Sequence, residues 1–392
     1  MSNQQEIRKD NLSPERFIDR ARISAGLSDF GGDGFYEPYC KLLECAAQDV
    51  DFHAQGLEAF QDGLVRWLVN RLRMQNDISR HPEILNEDVS DPMIVIGFGR
   101  SGTTKLHKML SEPDSVHKTW FWRLWNPAPF PDAAPGLPDP RIGAAGSSQL
   151  LTEDKPALDA AHHMTANQTE EEWLVYEATF DNWVWPQMMP LPSYFDWVMP
   201  RSSMEPYRYV KTIFQYLQWQ DGGKQDKPWV FKSVGHLADL DALMDCYPAA
   251  TLVQPHRDPR ETIPSYCKLL QALWPLMAKP TDPTFIGAEV LRMFASGAAR
   301  YLDARDRLSL NDRILDVTYE QVRSDPMLIM AQVYERARRP MTLEAEQKMA
   351  GWHKSNEQGA RGKHEYSLDE FGLTEAGIDR VFRDYIDRFI DR

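Results

Sequence analysis

Two short stretches hold residue types that could grip an anion and support group transfer. The first reads I-G-F-G-R-S-G-T-T-K-L over residues 96–106. Its glycines permit turns that aim several backbone N–H groups at one anion, and a helix opening at Thr103 would add partial positive charge. Gly97 and Gly102 keep the spacing of a triphosphate-binding loop, and Thr104 fills that loop's last position, but Thr103 stands where the loop needs lysine. An atypical P-loop kinase or NTPase is therefore the weaker reading. The cation lies inside the loop, at Arg100, flanked by Ser101. A guanidinium there suits one phosphate whose leaving-group bond breaks while the cation takes up charge.

The second stretch reads H-R-D-P-R-E-T-I-P-S over 256–265. An apolar strand delivers Arg257 to a sheet edge, where open α/β folds bind ligands. Asp258, Pro259 and Glu261 predict a capping box opening a helix that Pro264 bends. Arg257 and Ser265 are eight residues apart, so a bent helix could bring both to one anionic oxygen group.

The elements that must carry these stretches follow from patterning. The chain has 392 residues, 42% hydrophobic and 26% charged, which fits a globular protein and not a disordered one. Residues 1–90 read as a helical extension, with Leu57, Phe60, Leu64, Leu68 and Leu72 on one helix face. From 91 to 392 apolar strands alternate with helices: M-I-V-I before the first loop, then P-W-V-F-K-S, A-T-L-V-Q-P and R-I-L-D-V-T-Y. That alternation predicts an α/β fold, a mostly parallel, P-loop-like sheet flanked by helices. Residues from about 113 to 200 are rich in Pro, Trp and Met, so an insertion of short helices and loops is expected there.

Together the two stretches resemble the sulfotransferases that use 3′-phosphoadenosine 5′-phosphosulfate. Residues Arg100, Ser101, Gly102, Thr103 and Thr104 match the loop that holds the 5′-phosphosulfate, and Arg257 with Ser265 matches the pair that holds the 3′-phosphate. The resemblance continues at Lys232, which ends a strand in K-S-V-G-H, and at Tyr319, like a family tyrosine that packs near adenine. It extends to the segment bearing Arg361 and Lys363, which looks like one that closes over the cosubstrate. What it implies is in-line transfer of a sulfuryl group to a hydroxyl or amine, with Arg100 and Lys232 doing what a metal ion does in a kinase, and no metal required. A non-catalytic nucleotide-binding protein of the same fold is a further alternative.

The general base has three candidates. His236 follows Lys232 by four residues and ranks first; His162, in H-H-M-T-A-N-Q-T-E-E-E-W, ranks second; Glu171 ranks third. A histidine needs little tuning to accept a proton at neutral pH. By itself the acidic run Glu170 to Glu172 reads as the solvated start of a helix.

The net charge is −14, which argues against a nucleic-acid partner. No apolar run reaches membrane-span length and the first residues hold no apolar leader stretch, so a cytoplasmic protein is expected. The acceptor is expected to be a small molecule, apolar or aromatic given the tryptophans and methionines of the insertion. Dimerisation is common in the family resembled, so a homodimer stays open.

Overall fold

A computed structural model describes residues 11–134, 136–152, 154–356 and 367–391. Arg361 and Lys363 lie outside the described residues. Four strands, β1 (Met93–Ile96), β2 (Val230–Ser233), β3 (Thr251–His256) and β4 (Ile314–Thr318), form one parallel sheet in the order β2-β1-β3-β4. Val95 pairs with both Lys232 and Val253, which sets β1 at the centre.

The sheet is buried on both faces, as the continuous apolar strands require. Ile94, Ile96, Phe231 and Leu252 face a large core that also takes in the N-terminal helices and the insertion. Met93, Val95, Val230 and Val253 face a smaller core on the other side. The helices of eight residues or more among those described are α1 (Pro14–Ala25), α2 (Tyr36–Asp49), α3 (Ala54–Arg80), α4 (Thr103–Leu110), α5 (Met204–Gln220), α6 (Pro259–Leu273), α7 (Pro283–Arg307), α8 (Pro326–Arg336), α9 (Leu343–Ser355) and α10 (Glu375–Phe389). The apolar stripe of α3 behaves as its period demands: Phe60, Leu64, Leu68 and Leu72 are buried in the larger core. The same helix is tied to the insertion, because Trp67 Nε1 donates to Glu177 Oε2 at 2.7 Å.

The insertion consists of short helices, Phe121–Trp125, Pro140–Ala145, Pro156–Ala161, Trp173–Tyr176, Trp185–Met188 and Pro192–Val198. Proline sits in the first turn of four of them, where its missing N–H costs nothing. None of its tryptophans is fully exposed, and Trp183 and Trp185 are buried in the core. The four cysteines carry free thiols, and three of them are buried. No helix among the described residues is long and apolar enough to cross a membrane.

Candidate functional site

The loop between β1 and α4 adopts the conformations its glycines permit. Gly97 and Gly102 have φ of +146° and +97°. Gly99 is required for space, because a Cβ there would lie 2.6 Å from the Tyr266 ring. Arg100 holds φ of +71°, a left-handed position that an L side chain occupies only at a cost. Ser101 is buried and turned inward, its Oγ donating to the Phe98 carbonyl at 2.7 Å. Among the described residues no side chain caps α4, whose first N–H groups point out above Gly102.

The second anchor meets the first directly. Arg257 Nη1 donates to the Arg100 carbonyl at 2.9 Å, and Arg100 Nε donates to Ser265 Oγ at 3.0 Å. Arg257 and Ser265 therefore flank Arg100. The guanidinium of Arg257 also lies 4.2 Å from the Tyr319 ring centroid. The helix start differs from expectation in one respect. Asp258 caps the Arg260 N–H at 2.8 Å, but no capping box forms, because Glu261 pairs with Arg257 one turn away. The box appears instead at Thr318 and Gln321, opening the helix that carries Tyr319.

Two cavities meet at the loop. On one side lies a groove of about 760 Å³ bearing Lys105, Arg257, Arg323 and the aromatic rings of Tyr319, Trp120 and Trp352. On the other lies a smaller cavity of about 70 Å³ walled by Leu158, Met164, Trp173, Met188, Leu269 and Leu273. Arg100, Thr103, Thr104 and His162 line both. Glu171 and Lys232 face the apolar cavity.

The acidic run is not solvated. Glu170, Glu171 and Glu172 are 1%, 7% and 1% exposed, which overturns the reading of a solvated helix start. Each buried carboxylate has its own cation or donor, as burial demands. Glu170 Oε1 lies 3.2 Å from His162 Nε2, and its other oxygen lies 3.4 Å from Lys108 Nζ. Burial works to raise the Glu170 pKa, but Lys108, His162 and Lys232 outweigh it and hold this carboxyl well below the usual range. Glu171 bonds Lys232 Nζ. Burial pushes Lys232 down to about 7; Glu170 opposes the fall, and Lys108 and Arg100 add to it.

His236 is sealed off. Its Nε2 lies 2.5 Å from Glu172 Oε1 and its Nδ1 lies 2.8 Å from the Tyr207 hydroxyl. It is 1% exposed and lines neither cavity. Of the three base candidates, the structure brings His162 to the junction of the cavities, sets Glu171 on the apolar cavity alone and leaves His236 outside both. Sequence reasoning missed Lys108 and the separate partners of Glu170 and Glu172. Helical spacing offered one signal, since Lys108 falls four residues after Thr104 on the same face of α4.

These features have counterparts among known proteins. A model of the sulfotransferase family matches residues 92–342. The fold is similar to the crystal structure of sulfotransferase STF9 from Mycobacterium avium, at 26% identity and a TM-score of 0.82, covering 97% of this chain and 97% of that one. It is also similar to sulfotransferase STF1 from Mycobacterium tuberculosis, at 26% identity and a TM-score of 0.77, covering 95% of this chain and 98% of that one. No curated protein matches the sequence.

Proposed function

This chain belongs to the sulfotransferase family, and we propose that it moves a sulfuryl group from 3′-phosphoadenosine 5′-phosphosulfate to a hydroxyl of a small, largely apolar acceptor. One observation carries this reading: Arg100, Thr103, Thr104 and His162 form a shared wall between a cationic, aromatic-lined groove and an apolar cavity. A nucleotide carrying two phosphates suits the groove, where Arg257 and Tyr319 stand beside Arg100 and the α4 N-terminus. When bound, the donor would supply a sulfuryl group already attached to a phosphate leaving group. Arg100 and Lys232 would then hold the negative charge that gathers around the transferring group.

We assign the proton acceptor to His162 ahead of Glu171 and His236. Glu170, kept charged by Lys108, receives Nε2–H of His162 and leaves Nδ1 as the nitrogen with a lone pair. That is the logic of a carboxylate-oriented histidine. Glu171 is already engaged by Lys232. The apolar walls of the smaller cavity would limit water around the reacting centre once an acceptor fills it.

Calorimetry with adenosine 3′,5′-bisphosphate, followed by transfer assays on a panel of phenols and aliphatic alcohols, tests the proposal. Binding and acceptor-dependent transfer are expected. Well-folded protein that does not bind the bisphosphate would overturn it.

A further inference from the structure

Glu171 and Glu172 are consecutive residues of the insertion, and both take hold of Lys232. Glu171 bonds the Lys232 ammonium, and Glu172 Oε2 accepts the Lys232 backbone N–H at 2.6 Å. One dipeptide thus grips one lysine at its two ends, across about sixty positions of sequence. The backbone it grips belongs to β2, where Lys232 pairs with Val95 of the central strand.

Glu172 in turn needs a partner for its second oxygen, and His236 supplies it. The short turn Val234–Asp239 curls the chain back under the strand end, closed by Ser233 Oγ accepting the Gly235 N–H at 3.0 Å. This brings Nε2 to Glu172 and Nδ1 to the Tyr207 hydroxyl on α5. The Tyr176 ring packs on Tyr207 at 5.0 Å and on His236 at 6.2 Å, which fixes both. The titratable and charged groups around the imidazole are Glu172 and Tyr176 of the insertion, Tyr207 of α5 and Asp239 of the turn, the last paired with Arg300 of α7 at 3.1 Å.

We propose that Tyr207, His236 and Glu172 form a buried positioning chain that registers Lys232 and Glu171 at the sulfuryl-transfer centre, with His236 acting through Glu172 and never on the substrate. Its place behind the cavity wall and the engagement of both ring nitrogens leave it no route to an acceptor proton. The inference rests on the sulfotransfer reading and assigns the chain a part in it.

The variants Glu172→Gln, His236→Asn and Tyr207→Phe test this. Displacing a reacting group slightly can cost about a hundredfold in rate, so Glu172→Gln and His236→Asn should each lower kcat by roughly ten- to a hundredfold. The KM for the donor and the affinity for adenosine 3′,5′-bisphosphate should stay within about threefold of wild type, because no groove residue changes. The double variant should be no more than about threefold worse than the poorer single one, as groups acting in one chain are not additive. The acid limb of the kcat profile should persist in His236→Asn. Tyr207→Phe removes one hydroxyl, keeps the ring packing and should lower kcat by about threefold.

A His236→Asn enzyme whose acid limb has vanished would make His236 the proton acceptor and overturn the proposal. So would multiplicative losses in the double variant. Should His236→Asn fail to fold, wild-type kcat in both Glu172→Gln and Tyr207→Phe would overturn it. Failure of the sulfotransfer reading looks different: the wild-type protein itself would neither bind the bisphosphate nor transfer sulfate.

Discussion

The groove and the apolar cavity lie back to back on the same loop, yet they are built on opposite principles. The groove is roomy, about 760 Å³, and its polar residues come from the loop, α4, the insertion, α9 and the ends of β3 and β4. The cavity is about 70 Å³, its walls include Leu, Met, Trp and Tyr, and its charged groups are Arg100 and His162, shared with the groove, and Glu171 and Lys232, which face the cavity alone. In a sulfotransferase built this way, selectivity would be divided between the two. Charge and stacking would recognise a donor that is always the same. Shape and dryness would recognise an acceptor, and polarity would be confined to the point of reaction.

That division can be broken at defined places. His162→Gln should lower turnover by about 10²- to 10⁴-fold, the range for loss of a general base, while bisphosphate binding measured by calorimetry stays within a few-fold. Equal losses in binding and turnover would place His162 in the groove alone. Arg100→Ala touches both sides and should lower kcat/KM by about 10²- to 10³-fold and weaken the bisphosphate as well. Arg257→Ala lies on the groove side only. Loss of charge-assisted hydrogen bonds worth about 2 kcal/mol should raise the bisphosphate Kd by roughly thirtyfold, with the acceptor KM unmoved.

Lys232 lies on the cavity side, within electrostatic reach of Arg100 at the junction. Its pKa is pushed down to about 7, so its charge is present below that pH and lost as pH rises through it. An anion bound nearby would favour the ammonium form, so binding should take up a proton. Bisphosphate affinity is expected to weaken by up to about tenfold per unit above that pH, and Lys232→Met should flatten the dependence in calorimetry. The smallest effect belongs to the apolar wall. Leu269→Ala should lower the KM of bulkier acceptors by about threefold and leave the bisphosphate Kd alone, since a void is created on one side only.

Much of the groove was legible in the sequence because its parts are local. Strand, glycine turn and helix follow one another within residues 93–110, and the period of apolar residues changes where the structure changes. Arg257 stood out because an apolar strand ends beside it. The cavity was harder to read. Glu170, Glu171 and Glu172 look alike as letters, and neighbours alone suggest a solvated face. Their roles are decided by Lys108, Lys232 and His236, about sixty residues away on either side, which only folding brings together. The capping box expected at Asp258 failed for a related reason: Glu261 had a competing cation, Arg257, four residues before it. His236 drew attention by its closeness to Lys232 in sequence, and the turn after β2 put it underneath the site.

The left-handed backbone at Arg100 has a consequence for how this loop can change. Glycine would relax that position and delete its guanidinium in the same stroke, so an Arg100→Gly protein should outlast its parent on heating while losing its chemistry. The chain keeps a bulky cation where the main chain alone would favour the smallest residue, and durability has been surrendered there for reactivity.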